Sequence, residues 1–310
     1  MPPSTQDKLL VALDGSKRSK LTVDYIGACL PLRACRLVLF NVFNAIPQSY
    51  YDLQKEPKSV KVVGQAYAWE SYQKKKIHSF LEKERQGLIQ AGVAESDIEI
   101  KLAPRDQGIA RDIIKEARRG YAALVLRRRG TTRLPLIMGG VATKIVERND
   151  STPILIAGRK PLSGKVLIAI DGSENALRAT DFAGRMLAGY DIEFHLVAIS
   201  RGVPMAGDLD ATPQTGDRNV ARSPAELTEK IVEARTHLIQ AGVSSEQVSW
   251  QVITGVHSRA AAIVEEAEGE GCDTIILGRR GHSRINYFFI GSVSAKVIQL
   301  GREYTVWVIP

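Results

Sequence analysis

The 310-residue chain states its landmarks twice. LLVALDGS at residues 9–16 returns as VLIAIDGS at 166–173, and LFNV ending at Val42 returns as LVAI ending at Ile199, both 157 positions on. LIQAGV at 88–93 recurs letter for letter at 238–243, offset by 150. The Arg-Arg-Gly ending at Gly130 recurs at Gly281, offset 151, and Lys144 answers Lys296, offset 152. The order of landmarks never changes, and the offsets drift only as small insertions and deletions allow. Solenoid repeats have periods of roughly 20–50 residues, whereas this period is the length of a whole domain. The chain therefore reads as one domain written twice, divided at 1–159 and 160–310.

Each copy alternates short apolar runs with helix-like segments. Lys8–Leu13 and Val166–Ile170 are expected first strands, each ending at Asp-Gly-Ser. Arg36–Val42 and Glu193–Ile199 are second strands, and Asp97–Leu102 and Gln247–Ile253 are third strands. Ala122–Leu126 and Thr274–Leu277 are fourth strands; Thr152–Ala157 and Tyr304–Ile309 are fifth strands. Ile109–Arg118 and Arg259–Glu268 are among the helices between them. Apolar runs of four to eight residues between turn signals fit strands buried on both faces, and strand–helix alternation implies parallel crossovers. The predicted fold is α/β: two tandem doubly wound domains, each a five-stranded parallel sheet with helices on both faces. Residues 44–63 and 202–224 lack this periodicity and read as mobile loops before a long helix. The run Lys74–Lys76 on the first such helix reads as a solvated face.

Composition narrows the setting. No apolar stretch approaches the roughly 20 residues of a membrane helix, and the opening MPPSTQDK lacks a secretory layout. Three scattered cysteines, Cys29, Cys35 and Cys272, do not make a disulfide framework, which favours a reducing, cytoplasmic setting. Residues 1–160 carry 28 basic and 16 acidic side chains, a net of +12, while 161–310 carry 14 and 18, a net of −4. Without a nucleic-acid motif, this asymmetry favours two halves of opposite sign lying side by side over a nucleic-acid surface. The stretch Gly158-Arg-Lys-Pro-Leu-Ser-Gly164-Lys165 has the glycines of a phosphate loop but not its spacing, and reads as the interdomain linker.

The chemistry-bearing pattern is in the second copy. Thr274–Leu277 runs into Gly278-Arg-Arg-Gly281, then nine residues, then Gly291-Ser292-Val293 at the start of the last helix. Ligands of open α/β sheets sit at the carboxyl ends of the strands. Glycines there let backbone approach a ligand closely, and a helix N-terminus offers unpaired N–H groups and a dipole suited to phosphate. Taken singly, each glycine could be a tight turn and Ser292 a plain N-cap. Their joint spacing in a strand–loop–helix context favours a phosphate cradle. Arg279, Arg280 and His282 flank Gly281, either as anion contacts or as solvent-facing loop side chains. His78, His195, His237 and His257 are scattered and read as ordinary helix, strand or loop residues.

On these residues the chain resembles a tandem universal stress protein, whose nucleotide motif G-x-x-G-x9-G-(S/T) stands here as Gly278, Gly281, Gly291 and Ser292. The resemblance implies an adenine nucleotide alpha-hydrolase-like fold and binding of ATP, or of AMP, with magnesium accompanying the phosphates. It implies that Asp171 reaches the ribose, that Ile199 meets adenine largely through its backbone, and that Gly281, Gly291, Ser292 and Val293 cradle the phosphates. It further implies pairing through the fifth strands, which a tandem chain can satisfy internally as a pseudo-dimer, with a homodimer as a further step.

The first copy departs from the motif. Arg127 stands in place of Gly278. Aligning Lys144 with Lys296 leaves eight residues between Gly130 and Gly139 and puts Gly140 in the place of Ser292; keeping nine residues puts Val141 there instead. Asp14 and Val42 remain. Nucleotide binding is therefore expected in the second copy alone. The motif names no base or water-orienting group of the kind phosphoryl transfer needs, so binding with at most slow hydrolysis is the expected activity. The alternative is a nucleotide-independent module that offers the pseudo-dimer to protein partners.

Overall fold

The computed structural model describes residues 7–16, 19–46, 60–128, 139–201, 223–281 and 290–310. The first half contains β1 (Lys8–Ala12), α1 (Lys20–Ala28), the single turn α2 (Leu30–Arg33), β2 (Arg36–Phe43) and the long α3 (Val60–Gln90). It continues with β3 (Ile98–Pro104), α4 (Ile109–Ala117), β4 (Ala123–Arg127), α5 (Gly140–Arg148) and β5 (Ile154–Ala157). The second half repeats the order. It has β6 (Lys165–Ile170), α6 (Glu174–Leu187), β7 (Glu193–Arg201), α7 (Pro224–Gln240), β8 (Val248–Val256), α8 (Arg259–Gly269), β9 (Thr274–Gly278), α9 (Ser292–Leu300) and β10 (Thr305–Ile309).

The strands make one ten-stranded sheet in the order β3-β2-β1-β4-β5-β10-β9-β6-β7-β8. Within each half every pairing is parallel. The halves join where β10 pairs antiparallel with β5, Trp307 opposite Leu155. The expected internal pairing of the fifth strands is thus present, and it fuses two sheets into one.

Core residues alternate between the two faces as a strand period of two requires. Leu9, Val11, Leu37 and Leu39 belong to one apolar layer together with Ile26, Leu81, Met186 and Ile231 of the helices. Leu10, Val38 and Phe40 belong to the other, with Ile113, Ile145, Ile263 and Val297. Trp307 is 1% exposed at the seam. Its ring meets Phe182 edge-on at 5.7 Å between centroids, and its indole N–H donates to the Tyr25 hydroxyl at 3.3 Å. One side chain thereby touches helices of both halves. Two ion pairs also cross between the halves: Arg159–Glu303 runs in the sense the net charges suggest, and Arg185–Asp7 in the reverse.

The strand expectations hold to within a few residues at each end. Both second strands run further than expected, to Phe43 and Arg201, and the β7–β8 register is irregular between Ile199 and Arg201. The expected loops are shorter than proposed at their carboxyl ends, because α3 begins at Val60 and α7 at Pro224. The α7 start has its own signal: Ser223 and Glu226 form a capping box with Pro224 in the first turn. Residues 47–59 and 202–222 of those loops lie outside the described residues. Lys74–Lys76 are exposed, as expected.

Cys29, Cys35 and Cys272 are free and buried, and burial pushes each thiol up to about 12. At pH 8 the thiolate fraction is then on the order of 1 in 10,000, so native protein should resist a thiol reagent that labels the urea-unfolded chain fully. Trp307→Ala empties the seam and should cost about 3–5 kcal/mol in urea unfolding followed by circular dichroism.

Candidate functional site

In the second half, β6, β7 and β9 end on one edge of the sheet, and α6 and α9 begin there. The chain leaves β6 through Asp171, whose Oδ1 accepts from the Ser173 N–H at 2.9 Å. Ser173 then caps α6, its hydroxyl accepting from the Ala176 N–H at 3.2 Å. The loop after β9 is held against this turn. Asn175 Nδ2 donates to the Arg280 carbonyl at 3.0 Å, and Ser173 Oγ donates to the same oxygen at 3.4 Å.

The motif glycines divide into two roles. A Cβ on Gly278 would stand 2.7 Å from the Asn175 carbonyl carbon and 2.9 Å from the Ala176 nitrogen, so this glycine lets β9 pass the start of α6. A Cβ on Gly281 would stand 2.3 Å from Asp171 Oδ2, so the loop backbone lies directly on the carboxylate expected at the ribose. Gly291 closes the turn by donating its N–H to the Arg279 carbonyl at 2.8 Å.

Gly291, and not Ser292, is the N-cap of α9; Ser292 is its first helical residue and is exposed. The first bond along the helix runs from the Ala295 N–H to the Gly291 carbonyl at 2.9 Å. The amides of Ser292, Val293 and Ser294 precede it and have no acceptor within the helix. Ser294, which the motif does not include, donates its hydroxyl to the Gly278 carbonyl at 2.8 Å and ties the helix start to the strand end. Ile199 and Val293 are half-buried against the same apolar layer, as are Ile253 and Ile290.

Arg279 is not a solvent-facing loop residue. It is 3% exposed, and its Nη2 donates to the Glu147 carbonyl at 2.6 Å, in the last turn of α5. Helix C-termini offer unpaired carbonyls and favour cations, so this guanidinium fastens the glycine loop to the other half. Burial, and Arg280 beside it, hold its pKa below the usual arginine value, with Asp150 opposing. His282 lies outside the described residues.

The first half retains a cavity of about 330 Å³ at the corresponding edge, lined by Asp14, Val42 and Arg127 among others. Loss of the motif there has therefore not closed the crevice.

On the opposite edge, His195, Glu266 and Glu270 bring ligand atoms within 4.8 Å of one another. Lys165 Nζ already sits 2.7 Å from Glu270, and His195 bridges Glu266 and Ser249 at 2.8 and 2.9 Å. These side chains form one hydrogen-bonded network, so His195 does more than the scattered histidines of the sequence suggested.

Residues 163–309 match the family model described as the universal stress protein family. The second half is therefore a universal stress protein domain. Universal stress protein Slr1230 of Synechocystis sp. (strain ATCC 27184 / PCC 6803 / Kazusa) is 27% identical over 233 residues, covering 74% of this chain and 70% of the relative. The architecture resembles a universal stress protein from Archaeoglobus fulgidus DSM 4304 at TM-score 0.66 and 19% identity, with 97% of each chain covered. A putative universal stress protein from Pseudomonas aeruginosa UCBPP-PA14 gives TM-score 0.56 and 16% identity over 98% of this chain and 93% of that one. Both likenesses span the two halves, so the fold of those proteins extends over both halves of this chain. No helix among the described residues is long and apolar enough to cross a membrane.

The glycine roles can be separated. Gly278→Ala should destabilise the protein by about 1–3 kcal/mol in urea unfolding, because the added Cβ meets backbone that cannot move aside cheaply.

Proposed function

We propose that this chain binds ATP or AMP in the domain formed by residues 160–310, while the domain formed by 1–159 has given up that role. The observation that carries the reading is the meeting of Gly281 with Asp171 beside the open amides of α9. A carboxylate suited to a ribose diol and a helix N-terminus suited to phosphate stand on one loop, and Ile199 and Val293 supply apolar surface for a base. Gly281, Gly291, Ser292 and Val293 would take the phosphates, Asp171 the ribose and Ile199 the adenine. Magnesium, where it accompanies the phosphates, would neutralise their charge, and the Asp171 carboxylate and Ser292 hydroxyl are oxygen donors that could hold it.

The function is binding, with at most slow hydrolysis, in a cytoplasmic stress response. Asp171 is already engaged by the Ser173 amide. A base would also have to reach a water in line with the terminal phosphate, and the motif residues supply none. The tandem chain satisfies fifth-strand pairing within itself, so a homodimer would need a different surface.

Two measurements test this reading. Protein purified without added nucleotide should release an adenine nucleotide on acid extraction, read by mass spectrometry. In calorimetry, Gly281→Val should weaken ATP binding by about a hundredfold or more, since its side chain must occupy the space of Asp171 Oδ2. Arg127→Gly should restore little in the first domain, because Gly140 still lacks the hydroxyl of Ser292. An empty extract together with no calorimetric binding by the unaltered protein would remove the reading.

A further inference from the structure

The first-half cavity is built for a different occupant. Its volume of about 330 Å³ falls within the range of small-molecule sites. Its depth is apolar: Phe40, Ile113, Leu126 and Ile145 are each 6% exposed or less. The repeat allows position-by-position comparison. Where Arg259 opens α8, Ile109 opens α4; where Ser292 and Ser294 begin α9, Gly140 and Ala142 begin α5. Three polar positions of the second half are thus apolar or bare in the first. Arg127 also puts a long side chain where Gly278 admits none. A polyphosphate finds no counterpart of the Ser292 hydroxyl here, while an apolar body gains wall.

Two residues that line this cavity hold buried polar atoms with no hydrogen-bond partner among the described residues. Asn41 is 5% exposed; its Nδ2 donates to the Leu13 carbonyl at 2.6 Å, and its Oδ1 accepts nothing. Arg128 buries Nε, Nη1 and Nη2, and none of the three has an acceptor.

The second half shows an arginine at this place with one donor met and its Nε still without a partner among the described residues. Arg279 donates to the Glu147 carbonyl at the end of the other half's last helix. By the repeat, the matching acceptor for Arg128 is the Gln299 carbonyl, and that oxygen accepts from Arg302 Nε at 3.1 Å instead. Burial and the like charge of Arg302 bring Arg128 down to about 10, against the opposing pull of Glu303. A guanidinium held this way stays costly until an anion meets it. Unmet buried polar groups in a cavity of ligand size are the mark of a site awaiting its ligand's complementary atoms.

We propose that the first-half cavity binds a small aromatic carboxylate carrying one hydroxyl or N–H donor. The ring fills the apolar depth, the carboxylate pairs with Arg128, and the donor meets Asn41 Oδ1. The site operates alongside nucleotide binding in the second half and does not depend on it.

The test uses the full chain and two probes, 6-hydroxy-2-naphthoate and 2-naphthol, which lacks the carboxylate. Calorimetry should show saturable binding of the acid at one site, roughly tenfold or more tighter than the naphthol. Arg128→Gln should erase that preference, bringing the acid down to the naphthol's affinity. This variant removes a buried unpaired charge, so its thermal midpoint should be no lower than that of the unaltered protein. Ala142→Phe should weaken both probes by narrowing the cavity, while saturating ATP should leave both affinities unchanged. Absence of saturable binding, equal affinity for acid and naphthol, a preference that survives Arg128→Gln, or competition by ATP would each overturn the proposal. None of these outcomes depends on whether the second half holds nucleotide, so the two readings fail separately.

Discussion

The antiparallel pairing of β5 with β10 is the constraint on which the rest depends. A five-stranded parallel sheet ends in an open edge of unpaired backbone, which is a hazard for any soluble domain. Duplication within one chain covers that edge with its own copy, and the ladder continues unbroken across ten strands. Because the joint is antiparallel, the carboxyl ends of the two half-sheets point in opposite directions. The two crevices therefore open on opposite edges, and Arg128 and Arg279, each one residue past a fourth strand, lie near the end of the other half's last helix. Arg279 reaching Glu147 is a direct consequence of that geometry, and so is the proximity of Arg128 to Arg302 and Glu303.

Much of this architecture is legible in the residues because buried parallel strands are written as uninterrupted apolar runs. KLLVA, KVLIAI and TIILG can be little else once both faces are covered by helices. The repeat then doubles the information, since each uncertain element has a second spelling. Strand ends were less legible. Arg201 is charged and lies past a register irregularity, so no apolar pattern could extend β7 that far. The capping box at Ser223 was a stronger local signal than the absence of periodicity used to draw the loop through residue 224.

At the candidate site, spacing singled out one loop but blurred the work of its members. Gly278 and Gly281 look equivalent in G-x-x-G, yet one makes room for a helix and the other touches a carboxylate. Ser173, Asn175 and Ser294 hold the loop in place and stand outside the motif. Ser173 could have been found from its position, because a serine directly before a helix-like segment is an N-cap signal. Asn175 and Ser294 carry no such signal: their partners are backbone carbonyls brought near only by the folded sheet. The fate of Arg279 was likewise hidden, since its acceptor lies 132 residues away in the other copy.

Duplication also explains how one crevice can change while the other is kept. Each half takes its packing from its own helices and from the shared seam, so the apolar layers do not require a ligand in either crevice. What a crevice does demand is an answer for the arginine beside it. A buried guanidinium is costly while its donors go unmet, and a helix C-terminus meets Nη2 of Arg279 though not its Nε. In the first half Arg302 has taken the equivalent carbonyl. Replacing Arg128 with an apolar residue would remove the burden altogether. A chain that keeps a cation there, beside a cavity whose depth is apolar, keeps a group whose burial an anion entering with an apolar body would compensate.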